Sequence, residues 1–209
     1  MYVVVVNDFN KFNNAFLKSN GIRKDNTILY DNTKENIPLT KHYNDTIITS
    51  LDQQGPEWFI FCHQDFYFGE DISIRLNNLD RHYIYGAIGL NTERRCIGKI
   101  LHGDNVPVGD DPSKNDIVET VDGMCIIVNN ETIIERNLLF DESFRFHMYA
   151  EDFSYSARTK GILTKVLQMN AHHKCIVSPR YLNDLEYVTA RALAVRKWGL
   201  IRSTTGVWS

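Results

Sequence analysis

The sequence lacks most of the features that assign a short chain to a special class. Its 209 residues hold four cysteines, Cys62, Cys96, Cys125 and Cys175, with no Cys-x-x-Cys pair, so neither a zinc ribbon nor a disulfide framework is indicated. Reduced thiols packed in a core are expected. No stretch approaches the roughly 20 apolar residues of a membrane span. Met1 leads straight into Tyr2-Val3-Val4-Val5-Val6, which is too short for a signal-peptide core and has no basic residues before it. A cytoplasmic protein with at most peripheral membrane contact is the expectation. A formal net charge of −3 offers no cationic excess for bulk nucleic-acid binding. Repeats and low-complexity tracts are missing, and so is any His-x-His or His-x-x-x-His pair.

What is present describes a globular α/β protein. Hydrophobic residues make up 43% and charged residues 23% of the chain. One α/β domain is the default at this length, able to bury about 70% of the unfolded chain's surface. Tyr2 to Val6 is a β-branched run, and residues 8–19 follow with Phe12, Phe16 and Leu17 at helical spacing, closed by Asn20-Gly21. Thr27 to Tyr30 predicts a second strand and residues 40–51 a second helix. A third strand begins at Trp58; residues 70–79 carry a mixed apolar pattern that predicts a helix, and 83–90 and 96–101 predict further strands. The repeated β–α order argues for a mostly parallel sheet with helices on both faces.

Residues 102–118 are rich in Gly, Pro, Asp and Asn, lack periodicity and predict a long loop of the kind that serves as a lid. A strand over 119–128 follows, interrupted by Asp122-Gly123, where the glycine admits close approach of a backbone or ligand. Glu151-Asp152 opens a helix to Lys160 that stops at Gly161, and Thr164 to Met169 predicts a strand. Near the end Leu182, Leu185, Val188, Ala192, Val195 and Trp198 form an apolar stripe expected to pack into the core.

The most informative segment is Trp58-Phe59-Ile60-Phe61-Cys62-His63-Gln64-Asp65, an apolar run that ends abruptly on polar side chains. A run of this kind is a buried strand, and the carboxyl ends of parallel strands face the ligand crevice. Asp65 then either caps the next segment or binds a metal or substrate, and His63 is either a satisfied polar residue or its companion. Asp31 follows the second strand, Asn7 and Asp8 the first, and Asp152 opens a late helix.

This combination resembles the nucleotide-sugar-dependent glycosyltransferases of the GT-A fold, in particular the family-2-like bacterial group. There a strand end carries a metal-binding Asp-x-Asp triplet, for which this chain has His63-Gln64-Asp65. Val121-Asp122-Gly123, Phe140-Asp141-Glu142, Phe146-His147-Met148-Tyr149, Glu151-Asp152 and Gly161 continue the pattern in order, over roughly residues 2 to 175. The resemblance implies a single GT-A unit: a nucleotide-sugar-binding half over 1–101, an acceptor and catalytic half over 102–180, and a C-terminal helix and tail over 181–209. It further implies inverting transfer from a UDP-, GDP- or dTDP-sugar to a glycan or related hydroxyl, as in polysaccharide biosynthesis.

Departure of a diphosphate needs a cation, and Mn²⁺ or Mg²⁺ prefers hard oxygen ligands. Asp65 matches the second carboxylate of the triplet. His63 replaces the first, which leaves a weaker metal site or a metal-independent variant open. His172 or His173 is the further ligand candidate, and only one of two adjacent residues on an extended chain can face the site. Asp152 matches the family's general base, with Glu151 its rival. Asn7, Asp31, His63, Gln64 and Asp65 are expected on the donor, and Asp122, Gly123 and His147 on the acceptor. Two other readings stay open: a catalytically idle GT-A-like module, and a metal-dependent hydrolase built on His63, Asp65 and one of the paired histidines.

Overall fold

The computed structural model describes residues 1–51, 55–112, 116–175, 184–199 and 201–204. In chain order the elements are β1 (Tyr2–Val6), α1 (Phe9–Asn14), β2 (Thr27–Asp31), α2 (Leu39–Leu51), β3 (Trp58–His63), β4 (Phe66–Phe68), α3 (Ser73–Leu76) and β5 (Tyr83–Gly86). The short strands β6 (Gly89–Leu90), β7 (Cys96–Ile97), β8 (Ile100–His102), β9 (Val106–Val108), β10 (Ile117–Val118) and β11 (Thr120–Val121) follow. The chain then forms β12 (Cys125–Asn129), α4 (Asn130–Arg136), α5 (Tyr149–Thr159), β13 (Leu163–Val166), β14 (Ala171–His173) and α6 (Leu185–Trp198).

Seven strands form the main sheet in the order β10-β13-β5-β12-β3-β1-β2. Strands β1, β2 and β3 run parallel, as do β5 and β13, while β12 lies antiparallel between β3 and β5. That reversal matters for the site. Because β12 runs backwards, its first residues lie beside the last residues of β3: Cys125 faces Cys62, and the His63 N–H donates to the Met124 carbonyl at 3.1 Å. The Asp122-Gly123 step therefore meets the His63-Gln64-Asp65 tip at the strand ends in the middle of the sheet.

Period-2 alternation on buried strands splits the core into two layers. Val3, Val5, Phe59, Phe61, Ile126 and Val128 pack against Tyr43 and Ile47 of α2, Phe153 and Ala157 of α5, and Ala190 and Ala194 of α6. Val4, Val6, Ile60, Cys62 and Ile127 face the other way, onto Phe12, Phe16, Phe66, Phe68 and Ile72. Helices on both faces match the sequence reading, but the sheet is mixed: three of its six strand pairings are parallel and three antiparallel. No helix among the described residues is long and apolar enough to cross a membrane.

Several segments differ from the sequence reading. The strand expected over 83–90 breaks after Gly86, and β6 joins a separate three-stranded sheet in the order β11-β6-β7. The strand expected over 96–101 breaks at Gly98, whose φ of +100° is open to glycine and whose missing Cβ would lie 2.3 Å from the Ala87 carbonyl oxygen. The 102–118 segment is not simply a loop, because Val106–Val108 pairs back onto Ile100–His102 in a hairpin; Val-Pro-Val is too short to register as a period. The helix expected over 70–79 shrinks to Ser73–Leu76; Ile72 and Leu76 are buried in the core and Leu79 packs against it, while Ile74 is 71% exposed. On α6 most of the expected stripe points outward, with Leu185 79% exposed and Val188, Ala192 and Val195 exposed as well; Trp198 alone of the described stripe turns inward, stacked on Tyr155, and Tyr187, Ala190 and Ala194 make the buried face. Small alanines let α6 approach closely, and a pattern of large apolar residues does not reveal that contact. Leu182 lies outside the described residues.

Candidate active site

The strand ends line a cleft of about 380 Å³, bounded by Asn7, Lys11, His63, Gln64, Asp65, Asp122, Gly123, His147, Glu151 and His173 among others. At its centre, one ligand atom each of His63, Asp65 and His173 lies within 4.8 Å of the others. Sheet register brings them together. A third, four-stranded sheet in the order β4-β14-β8-β9 sets His173 opposite Phe66, the residue after Asp65, and the Lys174 N–H donates to the Asp65 carbonyl at 2.9 Å. His173 Nε2 then sits 3.2 Å from Asp65 Oδ1. His172 points elsewhere, with its Nε2 2.8 Å from the Gly103 carbonyl oxygen. The structure thus brings His173, and not His172, to the cleft.

Burial disfavours ionisation of both partners in this pair, and their mutual contact overrides it. Asp65 is pushed up by burial, yet the hydrogen bond and charge of His173, with the charge of His63, hold its carboxyl well below the ordinary carboxylate range. His173 is pushed down by burial but raised to about 10 by its bonds to Asp65 and Cys175. A histidine with a raised pKa stabilises the fold fully below its unfolded value of about 6.5, and that contribution drains away as pH rises. Asp65 contributes above its unfolded value of about 3.9 and loses its share only in stronger acid. Without metal, the melting temperature is therefore expected to decline from about pH 6.5 toward about 10. Melting curves of Asp65→Asn across that range check this, since the slope should flatten.

His63 stays neutral, its pKa lowered to about 4 by burial and by the charge of His173. Its tautomer is fixed by a neighbour. The Tyr149 hydroxyl donates its one hydrogen to the Gly123 carbonyl at 2.6 Å, so His63 Nε2, 3.1 Å from that hydroxyl, must donate to it. The lone pair is left on Nδ1. Gly123 makes this possible, because a Cβ there would lie 2.5 Å from the Tyr149 hydroxyl. Gly123→Ala is expected to cost about 1–3 kcal/mol from the forced repacking, visible as a lower denaturation midpoint.

Gln64 acts on the scaffold. Its side-chain oxygen accepts from the Asn7 and Asp8 N–H groups at 2.9 and 2.8 Å, tying the tips of β1 and β3 together. The Asn7 side-chain oxygen accepts from Asn32 at 2.9 Å, and Asp8 caps α1 by accepting from the Asn10 N–H at 2.9 Å. Asp31 does not line the cleft; it is exposed and accepts from the Thr33 N–H and hydroxyl at 3.0 and 2.7 Å in a local turn.

The two carboxylates of α5 part company. Asp152 is 1% exposed, turned from the cleft and locked to α6, accepting from Trp198 Nε1 at 2.7 Å and pairing with Lys197 at 2.8 Å. Burial outweighs those partners and raises its pKa. Lys197 also reaches Asp141 at 2.6 Å, and Asn44 binds the Phe140 carbonyl at 2.9 Å, so the Phe140-Asp141-Glu142 step serves to dock helices. Glu151 instead lines the cleft, 4% exposed, accepting from the Ser203 hydroxyl. Burial pushes its carboxyl up to about 7, against the Ser203 bond and helped by the charge of Asp122. Asp122 in turn accepts from the Met124 N–H at 2.9 Å and from the Thr204 hydroxyl. His147 lines the same cleft, packed edge-on against Tyr187 of α6, and burial lowers its pKa.

Sequence reasoning missed Lys11, His102, Tyr149 and Cys175, all on the cleft wall. Lys11 could have been flagged as a cation just after a strand tip. Cys175 is not the core thiol expected: it sits 3.5 Å from both His102 Nε2 and His173 Nδ1, which hold its pKa down to about 7 against burial.

No protein-family model matches this sequence, and neither does any curated protein. Solved structures do match in fold. GalNAc-T7, crystallised with UDP, GalNAc and Mn²⁺, superposes with a TM-score of 0.61 at 11% identity, covering 94% of this chain and 47% of that one. TarS 1-349 from S. aureus gives 0.51 at 13% identity, covering 82% of this chain and 59% of that one. This chain has the GT-A fold. It spans about half the length of these two neighbours.

Proposed function

We propose that this GT-A chain is a nucleotide-sugar-dependent glycosyltransferase that moves a sugar from a nucleoside-diphosphate donor to a hydroxyl of a glycan or related acceptor. The observation that carries the reading is the group His63, Asp65 and His173 at the strand tips. Its donor set fits a divalent ion such as Mn²⁺: one ionised carboxylate, the neutral His63 imidazole with a free lone pair, and His173, which would give up its proton on binding. Those three residues would hold Mn²⁺ or Mg²⁺, which when bound neutralises charge on the departing diphosphate. GalNAc-T7 carries UDP and Mn²⁺ in its crystal, which makes UDP-sugars the first donors to try. Lys11 on the cleft wall adds a positive charge suited to phosphate.

Glu151 replaces Asp152 as the base in this reading. A hydroxyl already donates to Glu151, that of Ser203, and an acceptor hydroxyl taking its place would be set for proton removal. The acceptor oxygen attacks the anomeric carbon, its proton passes to Glu151, the carbon–oxygen bond to the diphosphate breaks, and configuration inverts. A pKa of about 7 leaves enough carboxylate at neutral pH while keeping it a competent base. Asp122 and His147 line the acceptor side; Asn7 and Gln64 shape the donor side through the backbone they brace.

Incubation with UDP-, GDP- and dTDP-sugars plus Mn²⁺, with nucleoside diphosphate release as the readout, tests the proposal. Release from the sugars of one nucleotide supports it. Release from none, in a protein that also fails to bind UDP, contradicts it.

A further inference from the structure

We propose that His102, His173 and Cys175 form a zinc site that competes with the donor-side metal for His173. One ligand atom of each lies within 4.8 Å of the others. Strands β8 and β14 run parallel with His102 and His173 as register partners, and Cys175 follows His173 by two residues, which returns it to the same side. The Cys175 sulfur is 3.5 Å from His102 Nε2 and 3.5 Å from His173 Nδ1. On a tetrahedral zinc, with sulfur at about 2.3 Å and nitrogen at about 2.0–2.1 Å, neighbouring sulfur and nitrogen ligands fall about 3.5 Å apart. The backbone is already in place. The two imidazole rings are parallel, 3° apart in tilt, so a turn of the His102 ring about its side-chain bonds is what aims both lone pairs at one point.

Ligand chemistry separates this group from its neighbour. Each group has two imidazoles, so the difference is the third ligand: the thiolate makes this the softer set and the one zinc favours, whereas the carboxylate of its neighbour is the better ligand for Mn²⁺. His173 belongs to both, through different nitrogens: Nδ1 faces Cys175, and Nε2 faces Asp65 at 3.2 Å. A neutral imidazole has one lone pair and one N–H. Zinc on Nδ1 leaves the proton on Nε2, donating to Asp65; a donor-side metal on Nε2 leaves it on Nδ1, donating to Cys175. Each metal thus turns the other's ligand into a hydrogen-bond donor. This exclusivity rests on the transferase reading of His63, Asp65 and His173, but the zinc site itself does not.

Cobalt titration of the purified protein tests the site, because Co²⁺ bound through a thiolate shows a sulfur-to-metal charge-transfer band. The band should appear, be bleached by Zn²⁺, vanish in Cys175→Ser, survive in Asp65→Asn, and need at least about tenfold more cobalt in His102→Ala. At fixed Mn²⁺, Zn²⁺ should weaken UDP binding at least about tenfold in the native protein and leave it unchanged in Cys175→Ser. Absence of the band, or a band untouched by His102→Ala, overturns the zinc site. Zinc and Mn²⁺-dependent UDP binding together without interference overturns the competition. A band that behaves as expected in a protein that binds none of UDP, GDP and dTDP leaves the zinc site standing and removes the transferase reading.

Discussion

Glu151→Gln is expected to lower turnover by about 10²–10⁴-fold, the range that general-base catalysis supplies, while Mn²⁺-dependent UDP affinity stays within a small factor of the native value. The amide keeps the shape and can still accept from Ser203, so the loss isolates proton transfer. In the native enzyme the rate should climb with pH through a limb centred at about 7, where Glu151 becomes the carboxylate, and that limb should be missing from the variant. The same shift has a cost in stability. Unfolded glutamate ionises near about 4.3, so the folded state loses stability as pH rises from there to the raised folded value, and Glu151→Gln should melt higher than the native protein at neutral pH. Asp152→Asn is the control. Its raised pKa means that the charge there is no net gain to the fold, and asparagine can still accept from Trp198. A change in turnover below about tenfold is expected, since rate effects of 10² or more belong to groups in the transition state. Single-turnover assays of both variants at several pH values decide between the two carboxylates.

The second large effect belongs to the strand tip. Asp65→Asn should weaken Mn²⁺-dependent UDP binding by about 10²-fold or more, beyond the 10–100-fold typical of losing an outer-shell partner, with transfer falling in parallel. The variant removes the one anionic ligand of the group. It also leaves His173 buried beside a neutral side chain, so its pKa should drop from about 10 toward the lower value that burial alone favours. His173→Ala should bring a comparable loss of metal-dependent binding with His63 and Asp65 unaltered. His172→Ala, whose ring lies against the Gly103 carbonyl, should leave that binding near native. Isothermal titration of UDP into each variant, with and without Mn²⁺, separates a lost ligand from a lost fold.

The parts of the fold legible in the sequence are those set by local pattern. Val3 to Val6 and Phe59 to Cys62 could only be buried strands, and Asp65 at a strand tip followed from them. The paired histidines show where this stops. Alternation on an extended chain allows one of them into the cleft, but the choice of His173 is made by pairing of β14 with β4, more than 100 residues away in the chain. Glu151 and Asp152 pose the same problem on a helix. Adjacent residues point about 100° apart, and the direction is set by Trp198 and Lys197 of α6, which claim Asp152 for packing. Asp31 went to the local turn that its Thr33 neighbour offers, a contact the sequence did contain. His102 and Cys175 carried no signal at all, since 73 residues separate them and only the register of β8 and β14 makes them neighbours.

The His63, Asp65 and His173 group is expected to hold a divalent ion on a nucleoside diphosphate. Calorimetric titration of UDP into the native protein, in Mn²⁺ and then in excess chelator, tests it most directly. Binding that appears with Mn²⁺, disappears with chelator and is lost in Asp65→Asn is the predicted result. UDP affinity that is the same with and without metal, or that Asp65→Asn leaves unchanged, would contradict it.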